Sequence, residues 1–232
     1  MRALDAFEDD IITVKDMVKT YHLGEVEVPA LRGVSLVIKR GDFLVITGRN
    51  GSGKSTLLHQ LGLLDRPDSG EILLGGTDVT RLHEKRRTAL RLRYLGYIFQ
   101  EFALADELTA LENVMLPSMM IESISSSKEK AMKLLDLVGL GGLERHQPNQ
   151  LSGGEQQKVA IARSLVNDPV VLFADEPTAN LDSVAAAEVM SVFKQLNEEI
   201  GRTVVMITHE QEEAHLGNRL IRLSDGEIVH EE

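Results

Sequence analysis

The sequence lacks cysteine, and none of its apolar runs approaches the length of a membrane span. Without cysteine, a disulfide framework and thiolate chemistry are both excluded. The longest apolar runs, such as residues 170–174, have the length of strands, whereas a spanning helix needs about 20 apolar residues. The sequence therefore predicts a globular protein with no direct membrane span.

Positive charge is also scarce. The 232 residues include 25 Lys and Arg against 36 Asp and Glu, which gives a net charge of −11. Such a chain lacks the field that draws proteins to phosphate backbones, so nucleic acid is not an expected partner. Residues 1–10, MRALDAFEDD, lack the apolar core of a signal peptide. We expect them to form a loose lead-in, and we expect the protein to be cytoplasmic.

Apolar segments alternate with helical patterns along the chain. Near-continuous apolar runs at residues 43–47, 170–174 and 204–208 predict parallel strands that are buried on both faces. Outer or antiparallel strands are predicted at residues 11–18, 34–38, 72–74 and 228–229. We expect one α/β domain over residues 1–232, with a core of residues 11–100 and 166–232 and an inserted helical subdomain of residues 101–165.

Three helices are predicted from apolar stripes that repeat every three to four residues. The stripes consist of Leu57, Leu61 and Leu64; of Ala131, Leu134, Leu135 and Val138; and of Val189, Phe193, Leu196 and Ile200. Gly139 and Gly201 follow the second and third stripes and are typical of helix C-termini.

The segment GRNGSGKS, at residues 48–55, fits the pattern G-x-x-x-x-G-K-[ST] between a predicted strand and an apolar helix. Its backbone N–H groups and the helix N-terminus form a cradle for phosphate. Lys54 is predicted to reach the β- and γ-phosphates, Ser55 to bind Mg²⁺ and Thr56 to contact the α-phosphate. The predicted nucleotide-binding residues also include Gly48, Arg49, Asn50, Gly51, Ser52 and Gly53. The alternative is a plain glycine-rich turn, with Arg49 solvated.

Two carboxylates end the predicted strand VVLFADE. Side chains at the carboxyl end of a parallel strand point into the crevice where ligands bind. Asp175 is predicted to hold Mg²⁺ through water, and Glu176 to polarise a water that attacks the γ-phosphate. A strand that ends in a polar turn is the simpler alternative.

The segment LSGGEQ begins at Leu151 and precedes another apolar helix. Ser152 fits a helix N-cap, but a hydroxyl, two glycines and a helix N-terminus also make an anion site. A second anion site far from the phosphate loop requires an explanation.

Together these segments resemble the ABC ATPases, over about residues 11–229. The segments at residues 28–35, 61–70, 108–114 and 148–154 resemble more particularly the lipoprotein-release and macrolide-export (LolD/MacB) type, with cell-division ATPases of the FtsE type as neighbours. The resemblance implies a P-loop NTPase core, an antiparallel β subdomain and an inserted helical subdomain. It also implies that two copies pack head to tail around ATP and Mg²⁺. The residues that would close over the partner's ATP are Ser152, Gly153, Gly154 and Glu155, with Glu155 in place of the commoner Gln.

The resemblance also implies further site residues. Tyr21, after the first predicted strand, would stack on adenine, and Gln100 would contact Mg²⁺ or the attacking water. Asp182 would cross the dimer interface, and His209 would hydrogen-bond the γ-phosphate. The implied catalytic set is Lys54, Gln100, Glu176 and His209, and the metal set is Ser55, Gln100 and Asp175. The alternatives are a half-exposed tyrosine, a polar loop glutamine, a helix-capping aspartate and an uninvolved histidine.

The implied function is ATP hydrolysis that drives integral membrane permease subunits through an ATP-dependent homodimer, on the cytoplasmic face of the membrane. The alternative is an ATP-gated mechanical switch of the cell-division type, which regulates an extracytoplasmic enzyme without transport. An ABC protein that acts on nucleic acid is disfavoured by the acidic charge. A P-loop kinase or GTPase does not explain LSGGEQ.

Two other features allow weaker inferences. The basic run at residues 83–93 predicts a solvated helix face, with a contact to lipid headgroups or a partner's acidic loop as the alternative. Met115, Met119, Met120 and Met132 lie in the predicted helical subdomain. They would fill its core or an interface, and they would also suit a surface that grips a helix of a membrane partner.

Overall fold

The computed structural model describes residues 9–24 and 26–232. Its strands are β1 (Asp10–Leu23), β2 (Val26–Lys39), β3 (Phe43–Thr47), β4 (Ser69–Leu74), β5 (Thr77–Asp78), β6 (Leu95–Ile98), β7 (Val171–Asp175), β8 (Thr203–Ile207), β9 (Arg219–Ser224) and β10 (Glu227–Glu231). Its α-helices are α1 (Lys54–Leu61), α2 (Glu84–Tyr94), α3 (Ala110–Met119), α4 (Ile124–Leu137), α5 (Gly153–Leu165), α6 (Ser183–Glu198) and α7 (Gln211–Ala214). A 3₁₀ turn covers Pro148–Gln150.

The central sheet is mainly parallel, as predicted. Its six strands run in the order β10-β9-β3-β8-β7-β6, and only the β9–β10 pair is antiparallel. Strands β7 and β8 are buried along almost their whole length, because helices cover both faces of the sheet. The carboxyl ends of β3, β6, β7 and β8 therefore meet at one edge.

A second, antiparallel sheet has the order β2-β1-β4-β5. Its first strand, β1, is longer than predicted, so Tyr21 lies within the strand and not after it. The reason is a bulge, with Asp16 at φ 48°, that breaks the alternation between Val14 and Met17. Beyond Val18 the strand becomes polar and leaves the core. Of the predicted lead-in, residues 1–8 lie outside the described residues, whereas Asp10 already pairs with Lys39.

Two apolar clusters form the core. One joins the antiparallel sheet to α1 and to one face of the central sheet, where Ile12, Leu57 and Ile46 are buried. The other lies on the opposite face and includes Val159 and Ala162 of α5 together with Leu172 of β7. Helix α5 therefore packs directly on the sheet, while α3 and α4 pack against α5.

The three predicted helices are present, but each ends before the last residue of its stripe. Leu64 and Ile200 lie beyond α1 and α6 and are 43% and 40% exposed. Val138 is the C-cap of α4 and stays buried, and Gly139 follows it with a φ of +76°, as expected for a glycine at a helix C-terminus.

The basic run of α2 is not simply solvated, which corrects the prediction. Arg87 is 1% exposed, and its guanidinium donates to the carbonyl of Leu63, at 2.7 Å, and to that of Asp65. Arg91 donates to the same Leu63 carbonyl at 2.7 Å. These carbonyls follow α1, where cations are favoured by the helix dipole. Helix α2 therefore anchors the end of the phosphate-loop helix.

No helix in the described ranges is both long enough and apolar enough to cross a lipid bilayer.

Candidate nucleotide site

The predicted site residues follow neighbouring strands at one edge of the central sheet. The phosphate loop follows β3, His209 follows β8, Asp175 ends β7, and Gln100 follows β6. Since these strands lie side by side in the order β3-β8-β7-β6, the sheet brings the four segments together. This edge is the crevice where ligands of parallel α/β sheets bind.

Backbone packing determines the shape of the phosphate loop. A Cβ atom on Gly48 would lie 2.3 Å from the Leu223 carbonyl oxygen, and one on Gly53 would lie 2.3 Å from the Ala30 carbonyl oxygen. Both glycines also have positive φ values, which L-residues rarely adopt. A Cβ on Gly51, by contrast, would meet nothing within 4 Å, so the loop is open there.

Lys54 begins α1 and is only 6% exposed. Its Nζ donates to the carbonyls of Gly48 at 2.9 Å and of Arg49 at 3.2 Å. The ammonium group therefore lies inside the curve of the loop, where it can exchange these carbonyls for the oxygens of a phosphate.

Asp175 and Ser55 lie next to each other beside the loop. Burial raises the pKa of Asp175, and the Ser55 hydroxyl, which donates to it, opposes this rise. His59 Nε2 lies 3.8 Å from the Asp175 carboxylate, and its charge also opposes the rise. The phosphate loop and β7 therefore place a hydroxyl and a carboxylate oxygen together.

This donor set fits Mg²⁺, which prefers oxygen ligands and keeps several waters while one or two protein groups and substrate phosphates complete its shell. A dedicated cage is not present: within the described residues, no group of three or more acidic or histidine side chains is arranged to hold a metal. A bound Mg²⁺ would neutralise charge on the phosphates.

Glu176 and His209 are in direct contact. The Glu176 carboxylate lies 3.2 Å from His209 Nδ1, and the other ring nitrogen lies 3.2 Å from Glu210. Glu176 has a φ of +44°, an uncommon conformation for a non-glycine residue, and its N–H donates to the Ile207 carbonyl at 3.1 Å. This turn directs the carboxylate of Glu176 toward His209, where a base and a hydrogen-bond donor can act on one water.

Tyr21 and Gln100 occupy two sides of the site. The half-buried Tyr21 hydroxyl donates to Asp65 at 3.0 Å, and Thr56 of α1 hydrogen-bonds to the same hydroxyl. Burial raises the pKa of Tyr21, so its phenol stays neutral. Gln100 is exposed, and its backbone carbonyl accepts a bond from Asn180 Nδ2 at 3.0 Å. The fold thus places Tyr21 beside the phosphate loop.

Ser152, Gly153, Gly154, Glu155 and Asp182 form a separate group, the signature cleft, of about 660 Å³. Ser152 is the N-cap of α5, and it shares a capping box with Glu155. The Ser152 hydroxyl donates to the Glu155 carboxylate at 2.8 Å, and the Ser152 N–H donates to it at 2.7 Å. Asp182 caps α6 by accepting from Val184 N–H at 3.0 Å. Both capping alternatives are therefore present.

The two groups of residues do not meet in one chain. The lining of the signature cleft, as far as the structure describes it, contains no phosphate-loop residue. Arg49 and Asn50 instead line an open cleft with His209 and Arg222. One chain therefore carries a phosphate cradle with its acidic groups in one place and a capped helix N-terminus with Asp182 in another.

Two residues of the site, His59 and Asp65, were not predicted from the sequence. His59 stands four residues after Ser55, so both face the same side of α1, and this spacing is a signal that could have revealed it. Asp65 follows α1 and accepts bonds from Lys19, at 3.3 Å, and Gln60, at 3.2 Å, as well as from Tyr21. No spacing rule links it to Tyr21, because these residues meet only through the tertiary fold.

Comparisons with known proteins agree with this geometry. Residues 31–179 match the ABC transporter family. An uncharacterized ABC transporter ATP-binding protein of Thermotoga maritima is 48% identical over 220 residues, which cover 94% of this chain and 93% of that protein. A macrolide export ATP-binding/permease protein MacB of Syntrophobacter fumaroxidans is 48% identical over 225 residues. The chain spans about a third of that relative, since the match covers 96% of this chain and 32% of the relative.

A solved dimeric structure of the ATP-binding cassette MJ0796, in a post-hydrolysis state with ADP and Pi, has 43% sequence identity and a TM-score of 0.87. It covers 95% of this chain and 97% of the cassette. The fold class and the ATPase activity that the sequence predicts are thereby confirmed. This chain belongs to the ABC transporter family and is an ATP-binding, ATP-hydrolysing cassette.

Proposed function

We propose that two copies of this cassette share each ATP and that their closure drives a membrane permease. The observation that carries the proposal is the separation of the signature cleft from the phosphate loop within one chain. Ser152 and Gly154 then contact the γ-phosphate held by the partner copy. The dimeric form of the related MJ0796 cassette supports this arrangement.

Each residue has a defined role in this proposal. Tyr21 stacks on the base, residues 48–56 hold the phosphates, and Lys54 exchanges its loop carbonyls for phosphate oxygens. Ser55, Asp175 and Gln100 supply the oxygens that would hold Mg²⁺. Glu176 accepts a proton from the attacking water, while His209 donates to the γ-phosphate as charge develops. The phosphate loop is completed by Arg49, Asn50, Gly51 and Ser52. In the signature cleft, Gly153 and Glu155 stand beside Ser152. Asp182 lies at the interface between the two copies.

Catalysis in this scheme consists of positioning and electrostatic stabilisation, and the site is complete only when the two copies close. Hydrolysis removes the γ-phosphate that joins the phosphate loop of one copy to Ser152 of the other. The dimer then opens, so the nucleotide controls a change in contacts that can move a bound partner.

The partner is proposed to be a permease of the MacB-like export type. The MacB relatives are named as ATP-binding/permease proteins, and this chain covers only their ATP-binding third. The proposed docking surface is a groove of about 340 Å³ between α2, β6 and the end of α3, where Leu64, Phe99 and Met120 are exposed. The proposed occupant of the groove is an apolar helical segment of the permease, which would place the cassette on the cytoplasmic face of the membrane.

Met120→Glu tests the docking surface, because Met120 is 70% exposed and lines neither the cleft beside the phosphate loop nor the signature cleft. The variant should lose recovery with the membrane fraction of its host while the purified chain retains its ATPase rate. Ile200→Glu, at another exposed apolar position outside the groove, is the matched control. Equal membrane recovery of both variants contradicts the assigned surface.

Mixing two inactive variants tests the shared site. Lys54→Ala damages the phosphate loop, and Ser152→Arg damages the signature cleft, so neither variant alone should hydrolyse ATP. A mixed dimer contains one site with both defects and one intact site, so an equimolar mixture should recover up to about a quarter of the parental rate.

The control replaces Ser152→Arg with a chain that carries both substitutions. Mixed with Lys54→Ala, this chain cannot form an intact site, and its mixture should stay inactive. Absence of recovery in the first mixture, with both variants folded and Ser152→Arg still binding ATP, would show that the site is not shared.

A further inference from the structure

Glu213 is a buried carboxylate next to the turn that carries Glu176. It has no role in the scheme proposed for ATP hydrolysis. It lies on the short helix α7 and is 8% exposed. One of its oxygens accepts from the hydroxyl of Thr178, and the other accepts from the hydroxyl of Thr208 at 2.6 Å. Its neighbour Glu212, by contrast, is exposed.

The two threonines belong to the two segments that carry the catalytic side chains. Thr178 stands two residues after Glu176, and Thr208 directly precedes His209. Both are buried, at 6% and 1% exposure. Glu213 is therefore a bridge between the turn of Glu176 and the segment of His209, the residues whose side chains meet at 3.2 Å.

The same turn is held from its other side by the helix that follows the signature cleft. Gln157 of α5 is fully buried, and its Nε2 donates to the Pro177 carbonyl at 2.8 Å. Thus Pro177 is bound to α5, while Thr178 is bound to α7 through Glu213. Side chains of both helices therefore hold the backbone that aims Glu176. Of these two side chains, Glu213 also accepts a hydrogen bond from the segment of His209, through Thr208.

Burying a carboxylate is costly, and here the compensation consists of two hydroxyl donors. An apolar side chain would fill the same position without that cost. A polar bridge at this point is consistent with a need to fix the relative positions of Glu176 and His209, because small displacements of catalytic groups reduce turnover steeply.

We propose that Glu213 is a positioning residue for ATP hydrolysis, which acts by holding the Glu176 turn and the His209 segment in register. This rests on the roles proposed above for those two residues. Glu213 itself does not touch the nucleotide. Its loss should therefore reduce turnover while nucleotide binding at the phosphate loop is retained.

The test compares Glu213→Ala, Glu213→Gln and the exposed control Glu212→Ala in the full chain. The kcat at saturating ATP and Mg²⁺, the ATP dissociation constant and the binding stoichiometry are measured for each. Glu213→Ala should lower kcat by about tenfold or more, with the dissociation constant within about twofold of the parent. Glu213→Gln should restore most of the rate, because its amide can accept from one hydroxyl and donate to the other.

Three results would overturn the proposal. They are an unchanged kcat in Glu213→Ala, a parallel loss of kcat and binding stoichiometry, and a Glu213→Gln variant as slow as Glu213→Ala. The second result would mean that Glu213 only supports folding. None of them bears on the shared site, which the mixing experiment decides separately; conversely, full turnover in Glu176→Gln and His209→Ala would remove the roles on which the proposal rests.

Discussion

The two halves of the proposed ATP site shift the pKa values of their carboxylates in opposite directions. Beside the phosphate loop, burial raises the pKa of Asp175 above that of a free aspartate. In the signature cleft, the backbone N–H and hydroxyl of Ser152 lower the pKa of Glu155. Ionisation is thus opposed by burial in the first region and supported by hydrogen bonds in the second.

This contrast bears on how each region would bind a ligand. Burial disfavours the ionised form of Asp175, and a further cation beside it would favour that form. Ser152 is already satisfied by Glu155, so an approaching phosphate must take over a hydroxyl that is engaged. An added cation would favour ionisation of Asp175, whereas the Ser152 hydroxyl would exchange its bond to Glu155 for a bond to a ligand.

The largest effect is expected from Glu176→Gln, which affects chemistry on the phosphate-loop side and leaves the signature cleft unchanged. The amide cannot accept the proton of the attacking water, so turnover should fall by about 10²- to 10⁴-fold. ATP binding should persist, and an ATP-dependent dimer should accumulate in size-exclusion chromatography. A variant that stays monomeric with ATP would contradict the proposal that the two regions meet around ATP in a dimer.

Gly53→Ala should have the next largest effect, on folding rather than on chemistry. The added Cβ would meet the Ala30 carbonyl oxygen at 2.3 Å, and the φ of +102° adds backbone strain. We expect a loss of about 2–4 kcal/mol in the free energy of unfolding, measured with urea, and weaker ATP binding.

Gly51→Ala is the matched control for this substitution. It shares the positive φ, at +78°, but its Cβ would meet nothing within 4 Å. Its cost should therefore be the strain alone, about 1 kcal/mol. Equal costs for the two variants would show that backbone packing does not determine the shape of the phosphate loop.

Much of the nucleotide site could be predicted because its chemistry lies in contiguous segments. The phosphate loop, Asp175 with Glu176, and His209 each follow an apolar strand, and parallel strands bring their carboxyl ends together. The bridge through Glu213 and the bonds of Asp65 could not be predicted in this way. They join residues that are far apart in sequence and whose spacing follows no helix or strand period.

The fold was predictable where apolar residues form a continuous run or recur with a regular period, and it was not predictable elsewhere. Strands β5, β6 and β9 were missed, because β5 has only two residues, β6 has only four, and β9 begins with the ion-paired Arg219. Arg87 was assigned to a solvated face because its charge suggests exposure. Its burial depends on the two carbonyls beyond α1, which no local pattern in α2 reveals.

The smallest expected effect is on the pH dependence of the free energy of unfolding. The contributions of Asp175 and Glu155 to this pH dependence should have opposite signs. Because the folded-state pKa of Asp175 is raised, its contribution to stability is lost as the pH rises through the window above about pH 4. The folded-state pKa of Glu155 is lowered, so its contribution is present above about pH 4 and is lost as the pH falls.

Asp175→Asn should therefore stabilise the nucleotide-free chain at pH 7, while Glu155→Gln should destabilise it by about 0.5 kcal/mol. Both differences should shrink as the pH falls and the parental carboxylates become protonated. Urea unfolding at a series of pH values, without nucleotide or Mg²⁺, measures both. Differences of the same sign at pH 7 would contradict the contrast, whereas opposite signs would show that burial of Asp175 lowers the stability of the nucleotide-free chain while the hydrogen bonds of Glu155 raise it.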